Sequence, residues 1–278
     1  MTKKTLAWIA AAALMAACNG KTTNDNSEAA NDGTSSTSVA TTSDGKSQKM
    51  RLDSAYYHKE EGIVKCILMA NLPAERMNQP VGEWLDEVLG GLYPADPTDI
   101  QGIVDFYGQA MYDSLKTMEA DVKANEIPCT ELAYEMRMNH EYETEQFVTY
   151  TLTIYTYYGG AHPSWISQGA TFRKKDGRRI GWDFIASTYS YPFEQRVKKG
   201  LMEYFEVKTD EELNEQLQVN TIYSIPLPVT PPYFTEKGVA VTYQQYEIAA
   251  YAMGLPSMVI GYDELKPWMT GWAKRLVK

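Results

Sequence analysis

Cysteine and histidine are both scarce in this chain of 278 residues, which has three of each. The histidines are His58, His140 and His162, and none stands at metal-ligand spacing from another, so the sequence predicts no metal site. A nucleophile elbow, a His-Glu-x-x-His zinc motif, a phosphate loop and a dinucleotide fingerprint are also missing. We therefore expect no cofactor, and the residues alone assign no catalytic group.

Long apolar runs are absent as well. A membrane-spanning helix needs about 20 apolar residues, and the run Leu6–Ala13 near the start of the chain is much shorter. Two lysines precede this run, and the small residues of Leu14–Ala17 lead from it into Cys18. This order predicts a signal peptide over residues 1–17.

Leu14–Ala17 followed by Cys18 resembles the lipobox of bacterial lipoproteins. Cleavage before Cys18 would leave its thiol free for acylation by palmitate or a similar lipid, which would anchor the chain to a membrane. An ordinary secretory signal with an incidental cysteine is the alternative. Residues 18–50 contain no aromatic residue, Leu or Ile and are predicted to be a flexible tether. We thus expect an extracytoplasmic lipoprotein of the cell envelope, on the outer membrane, with periplasmic or surface exposure left open.

Positive charge is in deficit. The whole chain has a formal net charge of −10, with 26 basic and 36 acidic side chains. Loss of the two lysines in the signal peptide would bring the net charge to about −12, which argues against nucleic acid and favours a basic partner. Alternatively, the acidity only keeps an extracytoplasmic protein soluble.

With Cys18 used for lipid, Cys66 and Cys129 remain as an even pair. An oxidising compartment would permit a disulfide between them. Each also lies in or beside an apolar run, where a free cysteine behaves as a small hydrophobic residue. The sequence leaves both possibilities open.

Hydrophobic periodicity predicts strands and helices in separate runs rather than in strict alternation, which indicates an α+β fold, an antiparallel β-sheet with helices packed on it. The predicted strands are 63–72, 132–138, 147–158, 169–174, 178–181, 239–243 and 258–260, and the predicted helices begin near 80, 98, 192, 209 and 265. We expect a strand–helix–helix region at 51–130 and an α+β domain at 131–278, unless 51–278 is one compact unit. His58, among charged neighbours, is predicted to lie in a solvated loop.

The most distinctive stretch is Phe147–Phe172, a long β-favouring run interrupted by Gly-Gly-Ala-His-Pro. Its apolar residues alternate with Thr149, Thr151 and Thr153, so one face should meet a core and the other water or a partner. The glycines permit unusual backbone angles before His162.

His162 has two interpretations: it is a turn residue that hydrogen-bonds backbone carbonyls, or it contacts a ligand or acts as a general acid or base with Ser164 nearby. The candidate ligand-binding residues are His162, Tyr157, Tyr158 and Trp165. A hydrolase using His162 with Asp176 or Asp183 is the alternative to a non-catalytic binding protein. The tyrosine group of Tyr243, Tyr246 and Tyr251 and the pair Trp268 and Trp272 are interpreted as packing residues rather than as a carbohydrate platform.

Three blocks carry a family resemblance: YYGGAHP at 157–163, FTEKGVAVTYQQYEIAAYAMG at 234–254 and VIGYDEL at 259–265. Together they resemble the RsiV-like domain of unknown function. The resemblance implies an extracytoplasmic α+β module, known from a lysozyme-binding anti-sigma factor and from peptidoglycan deacetylases. A spanning helix with an anti-sigma segment and a deacetylase domain are not expected here. What carries over is an expectation that the protein binds a wall-related ligand, either a lysozyme-like protein or a glycan.

Overall fold

A computed structural model describes residues 52–73, 78–218 and 225–277. The predicted signal peptide, Cys18 and the tether lie outside these residues. Within them, no helix combines the length and the apolar character that crossing a membrane requires.

The larger of two sheets has six strands that neighbour one another in chain order. They are β1 (Leu52–Glu61), β2 (Val64–Pro73), β3 (Leu132–Glu143), β4 (Phe147–Tyr157), β5 (Ser164–Arg173) and β6 (Arg179–Ile180). Every neighbouring pair is antiparallel except β2 and β3, which are parallel. Parallel strands need a long crossover, and two helices supply it here: α1 (Asn78–Leu89) and α2 (Ile100–Ala124).

The rest of the described chain forms short helices and a three-stranded sheet. These elements are α3 (Tyr191–Tyr204), α4 (Asp210–Gln216), β7 (Tyr233–Phe234), β8 (Val239–Thr242), β9 (Ser257–Ile260), α5 (Tyr262–Leu265) and α6 (Gly271–Leu276), with single 3-10 turns at Trp182–Phe184 and Tyr251–Met253. The predicted α+β class is confirmed. Because β2 pairs directly with β3, the sheet continues across position 130, and residues 51–278 form one compact unit.

Two hydrophobic cores lie on opposite faces of the large sheet. The first packs α1 and α2 on one face, with Val81, Leu85 and Ile103 fully buried against β2, β3 and β4. The second lies under β7, β8 and β9 together with α3 to α6. Neighbouring residues of β4 supply both cores: Val148 belongs to the first and Phe147 to the second. Such a division follows from the alternation of side chains along a strand.

The expectation for the threonine face of β4 is therefore only partly right. Thr151 and Thr153 are partly exposed, but Thr149 is fully buried beneath the second core. Its hydroxyl lies 2.8 Å from that of Thr171, which accepts a hydrogen bond of 2.8 Å from the Phe234 backbone N–H. Polar threonine is tolerated here because these hydrogen bonds satisfy it.

The predicted loop around His58 is wrong: this exposed residue lies on β1, the edge strand of the sheet. The alternation of inward Ala55 and Tyr57 with outward Tyr56 and His58 indicates a strand. The charged residues that follow masked this pattern. An edge strand tolerates such charges, since they discourage pairing with another chain.

Helix α2 begins one residue later than predicted. Thr98 with Gln101 and Thr209 with Glu212 have the spacing that predicts a capping box at the start of a helix. At α2, however, Asp99 is the cap, and its Oδ1 accepts a hydrogen bond of 2.9 Å from the Gly102 N–H. Gln101 is thereby free to reach β1, where its side-chain amide pairs with both backbone groups of Tyr56, at 3.0 and 3.1 Å. In α4, by contrast, the predicted capping box of Thr209 and Glu212 is confirmed.

The apolar residues from Leu265 to Leu276 follow a helical spacing that predicts one terminal helix, and this prediction is wrong, because the chain breaks into α5 and α6. Pro267 lacks an N–H group, and the backbone after it pairs with another segment instead of continuing the helix. Ala186 N–H donates to the Trp268 carbonyl and Thr270 N–H donates to that of Phe184, at 2.8 and 2.9 Å. Trp268 and Trp272 pack against the second core, in line with the packing interpretation.

A charged cluster is partly buried at one end of β3 and β5. His140 Nε2 lies 3.2 Å from Glu143 Oε2, and Lys174 forms an ion pair with the same carboxylate. Since a carboxylate only accepts, Nε2 carries the hydrogen. The His140 hydrogen bond, with Lys174 assisting and burial opposing, lowers the pKa of Glu143 to about 2. The Tyr150 ring packs edge-on against His140.

We predict that the free energy of unfolding of Glu143→Gln depends less on pH in the acid range than that of the wild type. The ionised carboxylate stabilises the fold fully above its ordinary pKa of 4.5, and this contribution is lost as pH falls towards 2. The variant should be less stable at pH 7 and converge with the wild type in acid, as measured by urea unfolding across this range. Glu141→Gln, at an exposed neighbour, should run parallel to the wild type. A parallel curve for Glu143→Gln would contradict the assignment.

Candidate functional site

The Gly-Gly-Ala-His-Pro turn joins β4 to β5 and is built on one obligatory glycine. Gly159 has φ of +77°, and a Cβ at this position would lie only 2.8 Å from the Cys129 sulfur. The Tyr157 hydroxyl closes the turn by donating to the Gly160 carbonyl at 3.0 Å. This local geometry places His162, two residues after Gly160, at the surface.

His162 does not stand alone on this surface. Its ring stacks on that of Tyr251, with centroids 3.7 Å apart and planes 22° from parallel. Nδ1 lies 3.0 Å from the Pro163 carbonyl and Nε2 lies 3.4 Å from the Tyr246 hydroxyl. A neutral imidazole with its hydrogen on Nδ1 fits both contacts, because the carbonyl can only accept and the tyrosine can donate. Tyr251 also donates to the Pro163 carbonyl, at 2.8 Å.

Two glutamines attach the segment that contains Tyr246 and Tyr251, which we call the second segment, to the part of β5 that β6 does not cover. The side-chain amide of Gln244 accepts from Ser167 N–H at 3.1 Å and donates to the Ser167 carbonyl at 2.7 Å, as a neighbouring strand would. Gln245 Oε1 accepts from Trp165 N–H at 2.8 Å and from the Ser164 hydroxyl at 3.3 Å. Neither role could be read from the sequence, since no periodicity marks a side chain that pairs with a strand edge.

Three of the four predicted ligand-binding residues share one side of the sheet. Trp165 is 44% exposed, and its ring centroid lies 4.8 Å from that of Tyr155, which faces it across the β4–β5 pair. Tyr157 follows on the same face of β4, and His162 lies in the turn. Tyr158 packs instead against the first core, where burial raises its pKa to about 12. It is therefore turned away from the other three.

We call the shared region the aromatic surface, and it consists of Tyr155, Tyr157, His162, Trp165, Tyr246 and Tyr251. The interpretation of the second tyrosine group as packing holds only for Tyr243, which is fully buried. Tyr246 is 54% exposed and Tyr251 is partly exposed.

Charged groups border the aromatic surface near Tyr155. Burial, followed by the carboxylates of Glu131 and Glu135, raises the pKa of Tyr155. Glu135 is itself paired with Lys65 at 2.6 Å and with Arg137 at 3.4 Å. Within the aromatic surface, the groups that can meet a ligand are rings, hydroxyls and an imidazole.

The acidic residues considered for hydrolysis lie at the other end of β5. A strand of this length spans about 30 Å, with His162 before its first residue and Asp176 and Asp183 after its last. Asp176 accepts from Arg173 Nε at 2.8 Å, which holds the pKa of its carboxyl at about 2, and Asp183 forms an ion pair with Arg178. The structure thus does not bring these carboxylates to His162.

Both described cysteines are free thiols, so the disulfide left open by the sequence is not formed. Cys66 is buried on β2, with its sulfur 3.5 Å from the Gly108 carbonyl of α2. Cys129 lies beneath the turn at Gly159 and its sulfur is 3.3 Å from the Glu131 carbonyl. Among the described residues, no cluster of three or more histidine, cysteine and acidic side chains is placed to hold a metal.

Comparison with known proteins bears on the C-terminal part of this arrangement. Residues 183–263 match the DUF3298 family model. Its description is a protein of unknown function. No curated protein matches the chain. The DUF3298 match contains the glutamines and tyrosines of the second segment, whereas the His162 turn lies outside it.

Solved structures of DUF3298 proteins share the fold. One from Bacteroides fragilis is 16% identical, with a TM-score of 0.63 over 82% of this chain and 97% of that one. Another, from Pseudomonas aeruginosa PAO1, is 12% identical, with a TM-score of 0.55 over 81% and 97%. At these identities the likeness concerns the fold alone.

We predict that Gln244→Ala destabilises the protein by about 1–2 kcal/mol, because it leaves the N–H and carbonyl of Ser167 without a protein partner. Thermal and urea unfolding would measure this. Gln244→Glu keeps an acceptor for the Ser167 N–H but has no donor for the Ser167 carbonyl, so its loss of stability should be comparable to that of Gln244→Ala. Gln195→Ala, at an exposed site on α3, serves as the control. Equal stability of Gln244→Ala and this control would refute the strand-like role.

Proposed function

We propose that the protein is a non-catalytic lipoprotein of the cell envelope that binds a wall-related ligand, a lysozyme-like protein or a glycan, through its aromatic surface. The observation that carries the proposal is the junction of His162 with Tyr246 and Tyr251. Two segments far apart in sequence meet there with their aromatic rings at the surface. Exposed tyrosine and tryptophan side chains are the residues that most often dominate binding energy.

Rigidity supports a binding role. Trp165 and Tyr155 stand on paired strands, and Gln244 and Gln245 fix the second segment to β5. Side chains held in this way lose little conformational freedom when a ligand arrives, which favours affinity.

The proposed relationship to the RsiV-like domain agrees with this role. Two of the three blocks that resemble it, 234–254 and most of 259–265, fall inside the DUF3298 match. The acidic chain suits a basic partner such as lysozyme, and the exposed rings suit a glycan as well. Hydrolysis is the weaker alternative, because the hydrogen-bond partners of His162 among the described residues are the Tyr246 hydroxyl and the Pro163 carbonyl, and neither is a carboxylate.

The mature chain should bind without turnover. Pull-downs with hen lysozyme and with insoluble peptidoglycan should retain the protein, and a parallel assay should release no soluble muropeptide. His162→Ala should weaken retention while its unfolding midpoint stays within a few degrees of the wild type. Tyr191→Ala, at an exposed residue of α3, is the matched control. Release of muropeptides that depends on His162 would overturn the proposal in favour of a hydrolase.

The lipid anchor has its own test. In a bacterial host grown with labelled palmitate, the wild type should carry label and sediment with membranes, because Cys18 would be acylated after cleavage. Cys18→Ser should lose the label and move to the soluble envelope fraction. A labelled Cys18→Ser protein, or an unlabelled wild type, would show that the signal is of the ordinary secretory kind.

A further inference from the structure

We propose that the ligand of the aromatic surface is a glycan and that Tyr246 is its principal contact residue, held in an unfavourable backbone conformation for that purpose. This inference rests on the proposed binding function and adds the ligand class and the residue that recognises it.

Tyr246 has φ of +64°, a value that bulky residues seldom adopt. Two other non-glycine residues in the described ranges share a positive φ, Glu126 and Glu206. Both directly follow the C-cap of a helix, a position where left-handed residues commonly end helices. Tyr246 has no such role and occupies the third position of a four-residue turn.

That turn spans Gln244 to Glu247 and is closed by a backbone hydrogen bond of 3.1 Å from Glu247 N–H to the Gln244 carbonyl. With positive φ, its third position strongly favours glycine or asparagine. A tyrosine there costs about 1–2 kcal/mol in backbone energy. Outliers of this kind persist where the surroundings fix them, and they cluster at functional sites.

The backbone of the turn is fixed by contacts of its other side chains, while the Tyr246 side chain meets only surface residues: its hydroxyl lies 3.4 Å from His162 Nε2 and its ring centroid lies 5.8 Å from that of Tyr251. Gln244 and Gln245 bind the edge of β5 on one side. On the other side, the Glu247 carboxylate accepts from the backbone N–H groups of Gln244 and Val229, at 2.7 and 2.6 Å. The ring itself remains 54% exposed. Since neither the backbone nor a core needs this side chain, contact with a ligand accounts best for a tyrosine here.

The chemistry of the surroundings favours a glycan over a basic protein. The carboxylate nearest in sequence, Glu247, already accepts the two backbone hydrogen bonds just described, which leaves it poorly placed to attract a cation. The Gln245 Nε2 group makes no hydrogen bond within the described residues and can donate to a hydroxyl or an amide carbonyl. Next to Tyr246, flat rings that can pack against the C–H faces of a sugar lie beside the uncharged Gln245 amide, and this combination matches a saccharide.

Replacement of Tyr246 should therefore weaken ligand binding without lowering the stability of the fold. We would titrate the mature protein with chitotetraose and with soluble muropeptides by calorimetry, and follow thermal unfolding separately. Tyr246→Asn should leave the unfolding midpoint unchanged or raise it by about 2–4 °C, because asparagine tolerates positive φ. Its glycan affinity should fall about tenfold or more. Tyr246→Phe keeps the ring and should stay within about threefold of the wild type. Tyr189→Asn, at a tyrosine that is 91% exposed elsewhere, should change neither quantity.

The outcomes separate this inference from the proposed function. A wild type that binds lysozyme but neither saccharide overturns the glycan assignment and leaves the binding function standing. A wild type that binds neither lysozyme, chitotetraose nor muropeptides overturns both the glycan assignment and the proposed binding function. If Tyr246→Asn unfolds at a clearly lower temperature or fails to fold, the tyrosine is structural and the strain argument is wrong. Unchanged saccharide affinity in this variant would likewise remove Tyr246 as the contact residue.

Discussion

The structure depends on the alternation of side chains along β4. Phe147 enters the second core and Val148 the first, so one strand is shared by two hydrophobic clusters on opposite faces of the sheet. Helices α1 and α2 pack on one face of β4, and β7 and β8 pack on the other, so both groups of elements need this strand. Because burial of apolar area is the dominant favourable term in folding, this shared strand makes the two halves of the chain one folding unit. It also sets the position of the turn that follows, and with it the position of His162.

Glutamine side chains pair with two exposed stretches of the large sheet, one on the edge strand β1 and one on the part of β5 that β6 does not cover. Gln101 pairs with Tyr56 on β1, and Gln244 pairs with Ser167 on β5, in each case through one donor and one acceptor. A side-chain amide repeats the hydrogen-bonding pattern of a backbone amide, so it satisfies a strand edge without offering a further edge of its own. Unprotected edges invite pairing between chains. On β5 the same contact also delivers Tyr246 and Tyr251 to the histidine.

Much of the fold could be predicted from the sequence because local patterns determine it. The alternation on β3 and β4, the helical stripe around Leu85 and the capping box at Thr209 each report burial or hydrogen bonding within a few residues. The errors occurred where a distant partner decided the outcome. The break near Pro267 is stabilised by backbone pairing with residues about eighty positions earlier, and the buried threonine on β4 is satisfied by its neighbour on β5.

The site illustrates the same division. His162, Tyr157 and Trp165 could be singled out because a glycine pair and aromatic residues adjoin in sequence, whereas their partners come from a segment that reads as ordinary strand packing. Tyr158 is adjacent to Tyr157 in sequence, but successive side chains along a strand point to opposite faces, so it lies on the other side of the sheet.

The hydrogen bonds around His162 support the proposed binding role over the hydrolase alternative. A general base needs a partner that orients or charges it, usually a carboxylate, and a nucleophile within hydrogen-bond reach. His162 instead donates to a carbonyl and accepts from an exposed tyrosine, and the Ser164 hydroxyl is directed to Gln245. The ring pairs with Tyr251 face to face, which holds it flat and leaves both nitrogens engaged. An imidazole fixed in this way presents its ring edge and face as part of a surface, which the neighbouring tyrosines extend.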